Sequence, residues 1–197
     1  MCGIFGEYVT NKLNKLEFNR LLALSKNRGP DMIGYYAGND IQFGFNRLAV
    51  IDTSIKGKQP MVSPSGRYII MCNGEIVNYL DIQRECGIKI EKLESDSDIE
   101  VLRFALDIWG FEKTIARIRG MFAIAIYDNK KKDLFLVRDP AGIKPLYYAK
   151  TKNGWIFASQ YDQIFKHPNF YQENNKINVH AISDYLKLGY IPAPIAL

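Results

Sequence analysis

Apolar residues fall along this chain in short runs of β character. Residues 3–8, 41–51, 67–72, 121–127, 134–138, 146–149 and 155–158 are rich in Ile, Val, Phe and Tyr and are bounded by Gly, Asn, Asp or Pro, so each predicts a strand. The run Phe122-Ala123-Ile124-Ala125-Ile126-Tyr127 is apolar at every position, which predicts a strand covered on both faces. The polar stretch 128–133 after it, with three lysines between two aspartates, reads as a hairpin loop. Helical spacing appears between these runs. Phe18, Leu21, Leu22 and Ser25 predict a helix over 17–27. Residues 98–109 predict a second helix, with Asp96 or Ser97 as N-cap and Gly110 as a left-handed C-terminal residue. Residues 76–85 and 179–188 predict two more, the last ending at Gly189. Strands dominate the middle and helices are grouped between them, which points to an α+β fold of antiparallel sheets with helices outside. Pro192 and Pro194 after the last helix make 189–197 read as the start of a linker, leaving 1–188 as one domain.

Composition supports a globular chain and narrows its class. Of the 197 residues, 47% are hydrophobic, enough for a sizeable core. The net charge of +5 is scattered, and its densest cluster, Lys130-Lys131-Lys132, falls in the hairpin loop, so no nucleic-acid partner is expected. Three cysteines, at 2, 72 and 86, fit neither a disulfide framework nor a zinc pattern, so no metal is expected and a reducing compartment is. No run of 18 apolar residues predicts a membrane span, and the first fifteen residues lack the layout of a secretory leader. A cytoplasmic location is the expectation.

Candidate chemistry starts at Cys2. Removal of Met1 would give this residue both a thiol and a free α-amine, a nucleophile carrying its own base. Taken alone, such a start is also compatible with no role. Asn73-Gly74-Glu75, read as a corner between a strand and a helix, offers an amide and a backbone N–H to one oxygen, or else a simple Asn-Gly turn. Arg47 lies within an apolar run and either faces solvent or holds an anion with its planar fork. Asp98 either caps a helix or binds an ammonium group.

In order along the chain stand Cys2-Gly3-Ile4, Arg28-Gly29-Pro30-Asp31, Asn46-Arg47-Leu48-Ala49-Val50-Ile51-Asp52, Gln59-Pro60-Met61, Asn73-Gly74-Glu75-Ile76, Ser97-Asp98-Ile99-Glu100, Gly120-Met121-Phe122-Ala123, Arg138-Asp139-Pro140-Ala141-Gly142-Ile143-Lys144-Pro145-Leu146-Tyr147 and Gly189-Tyr190-Ile191-Pro192-Ala193-Pro194. Together they resemble the class II, N-terminal-nucleophile glutamine amidotransferase domain, in the branch of glutamine-hydrolysing asparagine synthetases. The resemblance implies a four-layer αββα sandwich of two antiparallel sheets. It implies Cys2 as nucleophile, and Asn73 and Gly74 as oxyanion donors. It further implies Arg47 at the glutamine α-carboxylate, Glu75 and Asp98 at its α-amino end, and backbone contacts from Leu48 and Val50. The reaction implied is hydrolysis of L-glutamine to glutamate and ammonia through a Cys2 thioester. No cofactor is implied for this domain. ATP and magnesium are expected only in a synthetase domain or subunit, whose Ser-Gly-Gly-type ATP loop has no counterpart here. The oligomeric state stays open, a homodimer included. Val77 and Gln160 depart from the family pattern, which favours an aromatic and Glu at those positions. A different acceptor, such as a sugar, and a non-catalytic regulatory relative are the alternatives.

Overall fold

A computed structural model describes residues 1–170 and 178–192. Among the described residues, nine strands build two antiparallel sheets. Strands β1 (Gly3–Val9), β2 (Met32–Ala37), β3 (Ile41–Arg47), β8 (Tyr147–Thr151) and β9 (Gly154–Ala158) form one, in the order β2-β3-β1-β9-β8. Strands β4 (Met61–Val62), β5 (Tyr68–Ile76), β6 (Gly120–Asp128) and β7 (Asp133–Arg138) form the other, in sequence order. The inner faces meet through Ile4, Phe43, Phe45 and Phe157 from the first sheet and Ile69, Met71, Ala123, Ala125 and Tyr127 from the second. Each large apolar side chain buried there contributes about 1.5–3 kcal/mol.

The outer faces are covered by helices. Phe18, Leu21 and Leu22 of α1 (Lys15–Ala23) and Ile164 of α5 (Tyr161–Phe165) pack on Phe5, Ile156 and Ala158. On the second sheet, α2 (Tyr79–Glu85), α3 (Asp98–Trp109) and α4 (Phe111–Arg117) lie over Ile70, Cys72, Phe122, Ile124 and Ile126. The architecture is therefore the four-layer αββα sandwich. Strand β6 shows why its sequence is apolar throughout: Phe122, Ile124 and Ile126 face the helices, while Ala123, Ala125 and Tyr127 face the other sheet.

Local chemistry sets the element ends. Asn14 caps α1 by accepting from Leu16 and Glu17 N–H, and Ser97 caps α3 by accepting from Ile99 N–H. Helix α3 has the expected bounds, but Gly110 adopts φ 79°, ψ 173°, a positive φ outside the left-handed helical well. In the 128–133 loop, Asp128 Oδ1 accepts from Lys130 and Lys131 N–H. Helix α6 (Val179–Leu188) ends at left-handed Gly189 as expected, and residues 193–197 of the expected linker lie outside the described residues.

Three expectations need correction. The run 41–51 leaves the sheet after Arg47, because Leu48 N–H turns to Cys2 Sγ and Ala49 N–H to Asp31 Oδ2. Helix α1 stops at Ala23, and a 3₁₀ turn over Lys26–Arg28 replaces its predicted end. Asn73-Gly74-Glu75 is no corner: β5 continues through it to Ile76, paired with β6, and α2 begins only at Tyr79. Strands β2 and β4 and helices α4 and α5 were not expected at all.

One buried polar network ties the first sheet to its helices. Glu7, wholly buried in β1, accepts from Leu13 N–H at 2.8 Å and Gln42 Nε2 at 2.5 Å. His167 Nδ1 accepts from Asn169 N–H at 3.1 Å, which leaves the ring hydrogen on Nε2 to donate to Glu7 at 3.2 Å. Glu7→Ala removes the acceptor of three donors, two of them on the buried side chains of Gln42 and His167, and is predicted to lower stability by about 3 kcal/mol. A urea midpoint shift worth less than about 1 kcal/mol would refute this role.

Candidate active site

The N-terminus enters the molecule as the central strand of a sheet. Strand β1 pairs with β3 on one side and β9 on the other, and Ser159 closes its start by taking Ile4 N–H at 3.0 Å while its own N–H reaches Ile4 O. Gly3 is required there, since a Cβ would stand 2.6 Å from Ser25 Oγ. Cys2 is thereby held rigidly at the end of the sandwich. Its carbonyl accepts from Arg28 Nε at 3.0 Å, and its Sγ lies 3.4 Å from Leu48 N and 3.6 Å from Leu48 O.

Cys2 opens on a cavity of about 200 Å³. That is below the roughly 300–1,000 Å³ of drug-sized ligand sites, so it suits an amino-acid-sized molecule. All eight sequence-predicted residues line it: Cys2, Arg47, Leu48, Val50, Asn73, Gly74, Glu75 and Asp98. Neither Val77 nor Gln160 does; Val77 is exposed, and Gln160 precedes α5 with its amide toward Asp162. The cavity wall also holds residues that sequence reasoning did not single out, notably Asp52, Gly57, Gln59 and Lys144. Asp52, Gln59 and Lys144 are signalled only by their place inside the ordered motifs, and Gly57 lies outside them.

The two sheets supply opposite walls. From β5, Asn73 is buried, and neither its amide nitrogen nor its amide oxygen has a hydrogen-bond partner. Among the buried side chains of the described residues it is the one with both polar ends unmet. Orphaned buried polar atoms cost about 1–3 kcal/mol each, so such an amide is held ready for something that enters the cavity. Gly74 follows it against β6, where a Cβ would stand 2.6 Å from Phe122 Cα and overlap Met121 O.

Charge is distributed unevenly around the space. Arg47, buried at the end of β3, donates Nη1 to Ser54 O at 2.5 Å and Nη2 to Asp52 O. It neither faces solvent nor spends its remaining N–H groups on a side-chain carboxylate. Asp98 Oδ2 accepts from Ile76 N–H at 2.7 Å, bracing β5 against α3, and Oδ1 accepts from Ile99 N–H at 3.0 Å. Burial, with Glu75 nearby adding to it, pushes the Asp98 carboxyl up despite these bonds. A cation placed beside it would relieve that penalty. Burial likewise pushes the Cys2 thiol up, opposed by Leu48 N–H, the chain's amino terminus, Arg47 and Arg28.

The family model for the glutamine amidotransferase domain matches residues 1–197. The chain belongs to this family. Within it, the chain is 33% identical over 202 residues to asparagine synthetase [glutamine-hydrolyzing] 1 of Bacillus subtilis, covering 100% of this chain and 31% of that protein. It is 35% identical over 174 residues to the second such synthetase of the same organism, covering 86% of this chain and 23% of that one. The amidotransferase domain thus spans about a third or less of these relatives' lengths. In fold it is similar to the B. subtilis glutamine phosphoribosylpyrophosphate amidotransferase solved with ADP and GMP, at TM-score 0.68 and 18% identity, over 83% of this chain and 43% of that one. That likeness is to an Ntn-hydrolase-type sandwich and concerns the fold. Among the described residues no helix is long and apolar enough to cross a membrane.

Proposed function

We propose that this domain hydrolyses L-glutamine to glutamate and ammonia through a thioester on Cys2, and that it supplies the ammonia to an ATP-dependent synthetase of the cytoplasm, with aspartate as acceptor. The observation that carries the reading is the unpaired Asn73 amide, buried in the same small cavity as the Cys2 thiol between a guanidinium and a carboxylate.

The chemistry begins when Met1 is removed. The freed Cys2 amine takes the thiol proton, and the thiolate attacks the side-chain amide carbon of glutamine. The carbonyl oxygen becomes an oxyanion, which receives hydrogen bonds from Asn73 Nδ2 and Gly74 N–H. As the tetrahedral species collapses, the carbon–nitrogen bond breaks and the protonated amine returns its proton to the departing nitrogen as ammonia forms. Water, deprotonated by the same amine, then attacks the thioester. The carbon–sulfur bond breaks, and the thiol recovers a proton as glutamate leaves. Throughout, Arg47 holds the α-carboxylate, Asp98 and Glu75 hold the α-ammonium, and the backbones of Leu48 and Val50 border the substrate. ATP and magnesium act in the synthetase part, where they activate the acceptor.

Intact mass and labelling test the reading. Active protein should lack one methionine, and a glutamine-shaped reagent that alkylates thiols should add once, at Cys2. Active protein that retains Met1, or label confined to Cys72 or Cys86, would overturn it.

A further inference from the structure

The loop after β3 is built around the Arg47 guanidinium. Two of its carbonyls, on Asp52 and Ser54, accept from the two Nη atoms, so the chain from 48 to 58 wraps the side chain that lies beneath it. Gly57 clears the space: a Cβ there would stand 3.0 Å from Arg47 Cζ and overlap Nη2. The outer side of the loop contributes little packing, since Val50 and Ile55 are 74% and 71% exposed. Hydrogen bonds must therefore fix its position. Asp52 makes two. Its Oδ1 accepts from Ser54 N–H at 2.7 Å, within the loop, and its Oδ2 accepts from Asp96 N–H at 3.2 Å, on the turn before α3. Asp96 immediately precedes Ser97, the N-cap of α3, and Asp98 itself.

We propose that Asp52 is a positioning residue that fixes the separation between Arg47 and Asp98, and through it the recognition of the α-carboxylate and α-ammonium of one amino acid. This rests on the function proposed above. A zwitterionic head offers two charges at a set spacing, and a site answers it only when its own two charges are held at the matching spacing. Asp52 bonds both the loop that wraps Arg47 and the turn that leads into α3. Burial alone would raise its carboxyl, but Ser54, Asp96 N–H and the Arg47 charge outweigh that and hold it below the usual carboxylate range. It is thus ionised, and accepts both bonds, wherever the domain works near neutral pH.

Steady-state hydrolysis of L-glutamine by Met1-processed protein tests this. Asp52→Ala should raise KM about threefold to tenfold, as expected for lost bonds to a partly exposed charged group, with kcat at saturating glutamine within about twofold. Asp52→Asn, which keeps one carbonyl oxygen, should fall between it and the wild type. Gly57→Ala should also raise KM by displacing the guanidinium. Two alkylating probes separate positioning from general damage. Iodoacetamide has no amino-acid head and should label Cys2 of Asp52→Ala at the wild-type rate, whereas a glutamine-shaped reagent should slow in step with KM. An unchanged KM in folded Asp52→Ala, or equal slowing with both probes, overturns the inference. If Asp52→Ala does not fold, Asp52→Asn decides, because it preserves volume. Wild-type protein that labels at Cys2 yet releases no glutamate would instead overturn the proposed function.

Discussion

Cys2→Ala is expected to abolish release of glutamate, by roughly 10⁴-fold or more, while leaving the fold in place. Neither of the other thiols can substitute. Cys72, on β5, also borders the cavity, but it is buried, packs on the α3 side, and burial pushes its thiol well above the ordinary range. Cys86 ends α2, outside the cavity, with its thiol pushed up to about 11, chiefly by burial. Cys2 shares the cavity with the Asn73 amide and, once Met1 is gone, alone carries an amine. The structural cost should be small, because the thiol is half-buried and its hydrogen bonds, both with Leu48, are long. A urea midpoint within about 1 kcal/mol of wild type is expected. A well-folded Cys2→Ala protein that still hydrolyses glutamine at an undiminished rate would sink the thioester mechanism.

How far the sequence could reach follows from which features are local. Helix α3 was legible to its bounds because its cap, its amphipathic spacing and its terminal glycine all lie within fifteen residues. Strand β6 was legible because its composition reports burial on both faces. Strand β2 was missed for an equally local reason. Gly34 interrupts its pattern and reads as a breaker, yet the glycine is there because a Cβ would overlap Gln59 O across a close approach. The corner expected at Asn73-Gly74 failed because an Asn-Gly pair signals a turn locally, whereas nine consecutive pairings with β6 hold the segment straight. The site behaved differently again. Its members were named through ordered motifs, and the fold brings all eight to one cavity. What no motif revealed is how Arg47 is held. Its bonds go to carbonyls five and seven residues onward, and the loop is fastened to Asp96, 44 residues away. Such contacts exist only once the chain has folded back on itself.

Asn73→Ala should separate activity from stability, with opposite signs. The side chain sits in β5 with both polar ends unmet, so the folded protein bears the cost of its desolvation without a compensating bond. Removing it deletes that cost, at the expense of a small void. Stability is therefore expected to hold or to rise by about 1 kcal/mol, where most buried substitutions lower it. Activity should fall steeply. If the amide donates to the oxyanion, its loss costs about 2.7–4 kcal/mol of transition-state stabilisation, or 10²–10³ in kcat. KM should change little, because the oxygen carries full charge only in the tetrahedral species. Thermal or urea unfolding read beside steady-state kinetics distinguishes this from the alternatives. An Asn73 that mainly supports the sheet would lose stability and activity together. One that binds ground-state glutamine would raise KM and spare kcat. A donor kept unpaired for the transition state predicts a protein at least as stable as the wild type and hundreds of times slower.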